Sequence, residues 1–178
     1  AELVVFAIAK ILKKKLKIKN SLEIGNCLPA GKAGKLEIPK RFPRLCPNCH
    51  YWFIFSAVKE VAPKDTIFGG DIGCYMIAGF PPHNIQDYLL CMGSSIGIAH
   101  GIKKASNQKL IAFIGDSTFF HSGIPALINV VFNKSNPLII IMDNRITAMT
   151  GHQPNPGMGL TGMFEPAEEI KIEEIVKA

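Results

Sequence analysis

Short apolar blocks separated by glycine, proline and acidic turns run through this chain, and their lengths predict alternating helices and strands. Residues 2–19 (ELVVFAIAKILKKKLKIK) read as one helix with a basic end, the lysines complementing its carboxyl-terminal dipole. Asn20 to Pro47 is rich in Gly, Pro and Lys and reads as a linker or extended crossing segment. A second apolar helix is expected from about Tyr51 to Val61, led by the tight turn Cys46-Pro47-Asn48-Cys49 and ended by Pro63. TIFGG (66–70) reads as a short strand, with Gly69, Gly70 and Gly73 expected to let the backbone approach a ligand. YLL (88–90) reads as another strand, followed by a turn at Met92–Ser94 and a helix capped by Ser94 or Ser95. In that helix Gly93, Gly97 and Gly101 share one face, which predicts close packing against another backbone. LIAFIG, ending at Gly115, is apolar throughout, as a central parallel strand should be.

From Ile111 to Gln153 the pattern is strand, Gly-Asp turn, helix, strand, Asp-Asn turn. Two polar turns thus sit at the carboxyl ends of two apolar runs, where open parallel sheets bind ligands. PNPGMGLTG (154–162) follows as a loop or lid, and Pro166 is expected to open a last helix with an apolar side of Ile170, Ile175 and Val176. The fold class is therefore α/β, a doubly wound, mostly parallel sheet. No strand follows the last helix, so the sheet is expected to be incomplete at its C-terminal edge. The domain division expected is a basic segment and linker over 1–42 and a binding domain over 43–178.

Composition modifies this in two ways. Of 178 residues, 48% are hydrophobic and 19% charged, which indicates a globular chain with a buried core. The net charge of +6 is local: residues 1–40 hold nine lysines against three glutamates, while the remainder balances eleven basic against eleven acidic side chains. A nucleic-acid partner for the binding domain is not supported. The run Leu3 to Ala9 is about a third of the roughly 20 residues a membrane span needs, and the lysines follow it, the wrong order for a signal peptide. These features read as a cytoplasmic protein, in which five cysteines, two in a C-x-x-C, favour metal or redox chemistry over disulfides.

The chemistry lies in Gly115-Asp116-Ser117 and, 25 residues on, Asp143-Asn144. Gly115 permits a sharp exit from the strand, Asp116 offers a charged metal ligand and Asn144 a neutral one, with the Ile146 carbonyl as a third. Backbone N–H groups of Ser117 and Thr118 at a helix start face an anion such as a diphosphate. On the residues alone, a plain strand turn in which Asp116 caps a helix stays open.

This spacing resembles the thiamine diphosphate motif. CPNCH, GDIGCY, CMGSSIGIAHG, GDSTFFHSGIPALIN and DNRITAMTGHQPNPG, spanning about residues 43 to 160, resemble the 2-oxoacid:ferredoxin oxidoreductases, most closely the alpha subunit of the indolepyruvate enzymes. The family's C-P-G-C-P-H-R is one residue shorter here at His50. The resemblance implies Mg²⁺ held by Asp116, Asn144 and Ile146, diphosphate lined by Gly115, Ser117 and Thr118, and thiamine rings flanked by Gly73, Cys74, Met92, Gly93, Ser94 and Met149. It implies oxidative decarboxylation of aryl pyruvates to arylacetyl-CoA, with coenzyme A as co-substrate and ferredoxin as electron acceptor. It also implies a separate pyrimidine-binding domain carrying the activating glutamate, and a beta subunit. Those parts are not found in these 178 residues, so the chain alone is expected to be a fragment that binds cofactor weakly and does not turn over.

Cys46, Cys49 and Cys74 match positions that ligate a 4Fe-4S cluster in related subunits, the alternative being buried or cofactor-packing thiols. His50, His121 and His152 are weak candidates for acid–base work against a default of solvated or capping histidines. His83 and His100 read as structural. Two other classes stay in view: a non-oxidative thiamine enzyme, and a non-catalytic assembly module docking through the basic tail.

Overall fold

The computed structural model describes residues 42–178, and the helix and most of the linker expected over residues 2–41 lie outside them. Three strands form one parallel sheet in the order β1 (Ile67–Gly69), β2 (Leu110–Gly115), β3 (Leu138–Met142). Register pairs Phe68 with Ile111, and Phe113 with Ile140. All six residues of β2 are buried, because a central parallel strand is covered on both faces.

Helices cover those two faces according to the alternation of β2. Ile111 and Phe113 point toward helix α1 (Tyr51–Val61) and pack with Tyr51, Phe55 and Met142. The Phe55 and Phe113 rings meet edge to face at 5.6 Å, a favoured aromatic geometry. Ile114 points the other way, to Ile96 of α2 (Ser94–Ala105) and to Phe119 and Val130. Leu110 and Ala112 pack with Ala99 of α2. Each large side chain so buried contributes about 1.5–3 kcal/mol. Helix α3 consists of Asp116–Thr118, a π turn at Phe119–Gly123, and Ile124–Phe132. Pro125 explains the wide turn: it has no N–H for the carbonyl four residues back, and a π turn accommodates the loss.

Several elements differ from expectation. YLL contributes only a single bridge, Tyr88 to Gly69. The last helix, α4 (Ile172–Lys177), begins six residues after Pro166, and its packed side is Ile172 and Ile175 while Ile170 and Val176 are about half exposed. Cβ atoms added at Gly97 and Gly101 would meet nothing of the described residues within 4 Å, so no backbone among those residues packs on them. Neither serine caps α2. Its cap residue is Gly93 at φ 85°, the Ser94 hydroxyl turns back to Cys91, and the buried Ser95 hydroxyl has no partner among the described residues. Gly69, Gly70 and Gly73 make room for this chain's own Tyr88, Gln86 and Tyr75 side chains, whose atoms stand where a Cβ would go. Among the described residues no helix is long and apolar enough to cross a membrane.

Candidate functional site

The carboxyl ends of β2 and β3 and the loop after β1 open into one cavity of about 100 Å³. That is well below the roughly 300–1,000 Å³ typical of a small-molecule pocket. Of the expected residues, Gly73, Cys74, Met92, Gly115, Asp116, Ser117, Thr118, Asn144, Ile146 and Met149 line it. Gly93 and Ser94 stand behind the lining, in the turn that presents Met92. His50, His121 and His152 are exposed and outside the lining.

Asp116 is the first residue of α3 and is only 3% exposed. Its Oδ2 accepts from Asn155 Nδ2 at 2.8 Å. Burial pushes its carboxyl above the ordinary 3.8, hydrogen bonds from Ser117 and Asn155 pull it back, and the neighbouring Asp143 carboxylate pushes it up again. A buried carboxylate crowded by a second one is what a divalent cation relieves. Asn144 and Ile146 line the same cavity, and the Ile146 N–H donates to Asn144 Oδ1 at 3.2 Å. This all-oxygen donor set fits a hard ion such as Mg²⁺. Among the described residues no three His, Cys, Asp or Glu side chains could hold a metal, so a cation here needs the neutral oxygens.

Ser117 and Thr118 are buried beside Asp116, and their position at a helix start suits a phosphate. Thr147 Oγ1 donates to Ser117 Oγ at 2.7 Å, tying the β3 loop to α3. Behind them Tyr75 donates to the Ile72 carbonyl at 2.7 Å and lies 3.3 Å from Thr118 Oγ1. Burial pushes the Tyr75 hydroxyl up to about 12, so it remains a neutral strut. Met92 and Met149, each 46% exposed, form apolar walls at the mouth.

Among the described residues the cysteines do not form a group of three placed to hold a metal. Burial, and then Cys46 and Cys49, push the Cys74 thiol above its ordinary 9.0. Cys91 is exposed in the loop before α2, and Cys27 lies outside the described residues.

Three residues escaped the sequence reading. Tyr51 lines the cavity from α1. Asn155 reaches Asp116 from 39 residues away. Asp71, fully buried, accepts from the N–H groups of Ile72 (2.8 Å), Gly93 (2.7 Å) and Ser95 (2.9 Å) and so caps α2 from another loop. Only the repeated Gly-Asp doublet, GD at 70–71 as at 115–116, hinted that Asp71 mattered.

A buried helix-start carboxylate and an Asn at the ends of adjacent parallel strands have the chemistry that a cation and a phosphate would use. Residues 71–178 match the family described as thiamine pyrophosphate enzyme, C-terminal TPP binding domain, and the chain belongs to that family. Among curated proteins it is similar to the indolepyruvate oxidoreductase subunit IorA of Methanothermobacter thermautotrophicus, 50% identical over 148 residues, which is 80% of this chain and 24% of that protein. It is 40% identical over 168 residues to IorA of Archaeoglobus fulgidus, covering 93% of this chain and 27% of that one. The chain thus spans about a quarter of the length of these relatives. The resemblance read from the motifs is borne out. A solved 2-oxoglutarate:ferredoxin oxidoreductase from Magnetococcus marinus, determined with 2-oxoglutarate, coenzyme A and succinyl-CoA bound, shares the fold. Its TM-score is 0.63 at 20% identity, over 80% of this chain and 52% of that chain.

Proposed function

We propose that this chain forms the diphosphate- and Mg²⁺-holding half of the active site of a thiamine diphosphate-dependent oxidoreductase that converts indolepyruvate and related aryl pyruvates to arylacetyl-CoA. The observation that carries the reading is the convergence of Asp116, Asn144 and Ile146 on one cavity beside the helix start at Ser117 and Thr118. In this reading Asp116 Oδ1, Asn144 Oδ1 and the Ile146 carbonyl hold the ion, and the Ser117 and Thr118 N–H groups hold the diphosphate. Bound thiamine diphosphate supplies the nucleophilic carbon and the electron sink for breaking the bond between the 2-oxo carbon and the carboxylate. Met92, Met149, Cys74 and Gly73, which line the same cavity, would flank the thiamine rings and limit their contact with water. Electrons pass to ferredoxin and the acyl group to coenzyme A, in concert with a pyrimidine-binding domain and a beta subunit. The similarity to IorA supports the substrate class.

Calorimetric titration of thiamine diphosphate with and without Mg²⁺, on the wild type and on Asp116→Ala, tests the reading. Mg²⁺-dependent binding is expected in the wild type and lost in the variant; equal binding by both overturns the cofactor assignment. Coenzyme A-dependent ferredoxin reduction by the assembled enzyme separates this activity from a non-oxidative thiamine reaction. A 4Fe-4S cluster on Cys46, Cys49 and Cys74 is a further part of the proposal, supported by the match of these positions to cluster ligands in related subunits. Iron and sulfide analysis after anaerobic purification decides it, absence of iron at these cysteines removing it.

A further inference from the structure

Asn155 sits in the loop beyond β3, is 3% exposed, and has both ends of its amide committed. Its Oδ1 accepts from the Gly157 N–H at 2.9 Å, which fixes the flip of the group. Its Nδ2 is thereby aimed at Asp116 Oδ2, 2.8 Å away. The backbone supports this arrangement: Asn155 precedes the 3-10 turn Pro156–Met158, and Gly157 leaves its Cα face to Phe120 of α3, 3.2 Å from where a Cβ would stand. The loop is thus braced against the helix that begins with Asp116. A carboxylate has two oxygens, and here one is occupied by a buried amide that cannot turn away.

We propose that Asn155 is a positioning residue for metal selection: it engages Asp116 Oδ2 so that the carboxylate presents Oδ1 alone to the cation. The inference rests on the reading of Asp116 as the cation's carboxylate ligand. One-oxygen presentation favours Mg²⁺, which takes a compact octahedron and few carboxylate oxygens. It disfavours Ca²⁺, which accepts both oxygens of one carboxylate in a larger, looser shell. Groups that hydrogen-bond a metal ligand typically cost about 10- to 100-fold in metal affinity when removed. Loss of Asn155 should therefore do two things at once. Mg²⁺ should bind more weakly, and the preference for Mg²⁺ over Ca²⁺ should shrink, since a freed Oδ2 lets Asp116 chelate the larger ion.

The experiment measures Mg²⁺ and Ca²⁺ affinities separately by calorimetry, at fixed saturating thiamine diphosphate, on the full enzyme carrying wild-type, Asn155→Ala, Asn155→Ser or Asp116→Ala sequence. Asn155→Ser keeps an acceptor for the Gly157 N–H but is too short to reach Asp116, so it reports on the same bond if the alanine variant does not fold. The expected result is a 10- to 100-fold loss of Mg²⁺ affinity with a smaller loss, or a gain, for Ca²⁺. Unchanged affinities in a folded variant overturn the proposal. Equal losses for both ions also overturn it, because they mark a merely structural role. If Asp116→Ala binds both ions like the wild type, the fault lies in the cofactor reading rather than in Asn155.

Discussion

Asp71 and Asp116 both follow a glycine at the end of a parallel strand, and both are buried, yet they are provided for differently. Asp71 receives three backbone N–H groups within 2.9 Å. Asp116 receives one side-chain amide, at Oδ2, and the Ser117 N–H, while a second carboxylate, Asp143, stands nearby. The lesson is that burial does not mark a functional carboxylate; incomplete satisfaction does. A carboxylate filled by N–H donors has its charge compensated and becomes a joint of the fold. One that has fewer donors and stands beside another negative charge stores a demand for a cation.

The largest effect expected is on the Asp71 side. Asp71→Ala strands the N–H groups of Ile72, Gly93 and Ser95 and removes the cap of α2, a loss of about 3 kcal/mol from several donors at ~1–3 kcal/mol each. Chemical denaturation should show that loss with or without Mg²⁺; a loss below about 1 kcal/mol would mean that water replaces the carboxylate and the contrast fails. Asp116→Asn should behave in the opposite sense. It removes a crowded charge while keeping an acceptor for Asn155, so the metal-free protein should be as stable as the wild type or gain on the order of 1 kcal/mol. A clear destabilisation in metal-free buffer would show that Asp116 holds the fold rather than the ion.

The smallest effect concerns a third buried group. His83 is 5% exposed, its Nε2 has no partner among the described residues, and its ring lies 4.7 Å from Trp52 and 5.5 Å from Phe55. Burial, and then Lys59, hold its pKa below the ordinary 6.5. The unfolded chain therefore binds the proton more readily, and stability falls as pH drops from 6.5 toward the folded value. Denaturation followed by Trp52 fluorescence should show that acid loss in the wild type and a flatter profile in His83→Phe. Identical profiles would mean that His83 is not paying for its burial.

Local pattern made much of this legible. Helix α1 runs over Tyr51–Val61 as its apolar block and Pro63 dictate, and β2 is the uniformly apolar run that a central strand requires. The residues at the strand exits, Asp116, Asn144 and Ile146, meet at one cavity because parallel pairing of Gly115 with Met142 brings the two exits side by side. What failed were inferences about partners. Gly97 and Gly101 have the spacing of a packing face, but no backbone of the described residues comes to them. Ser94 and Ser95 have the chemistry of a cap, but a stronger acceptor from another loop takes the N–H groups first. The three weak histidine candidates are exposed and are not among the residues that line the cavity.

By itself the sequence determined where the chain extends, where it coils and which strand ends carry ligating oxygens. These follow from side-chain period and turn chemistry within about ten residues. Tertiary structure decided how the two carboxylates differ. The groups that satisfy Asp71 lie as far as 24 residues away, and the amide that restrains Asp116 lies 39 away. Hydrogen bonds over such separations form only after the sheet has fixed the loops, and no local pattern records them.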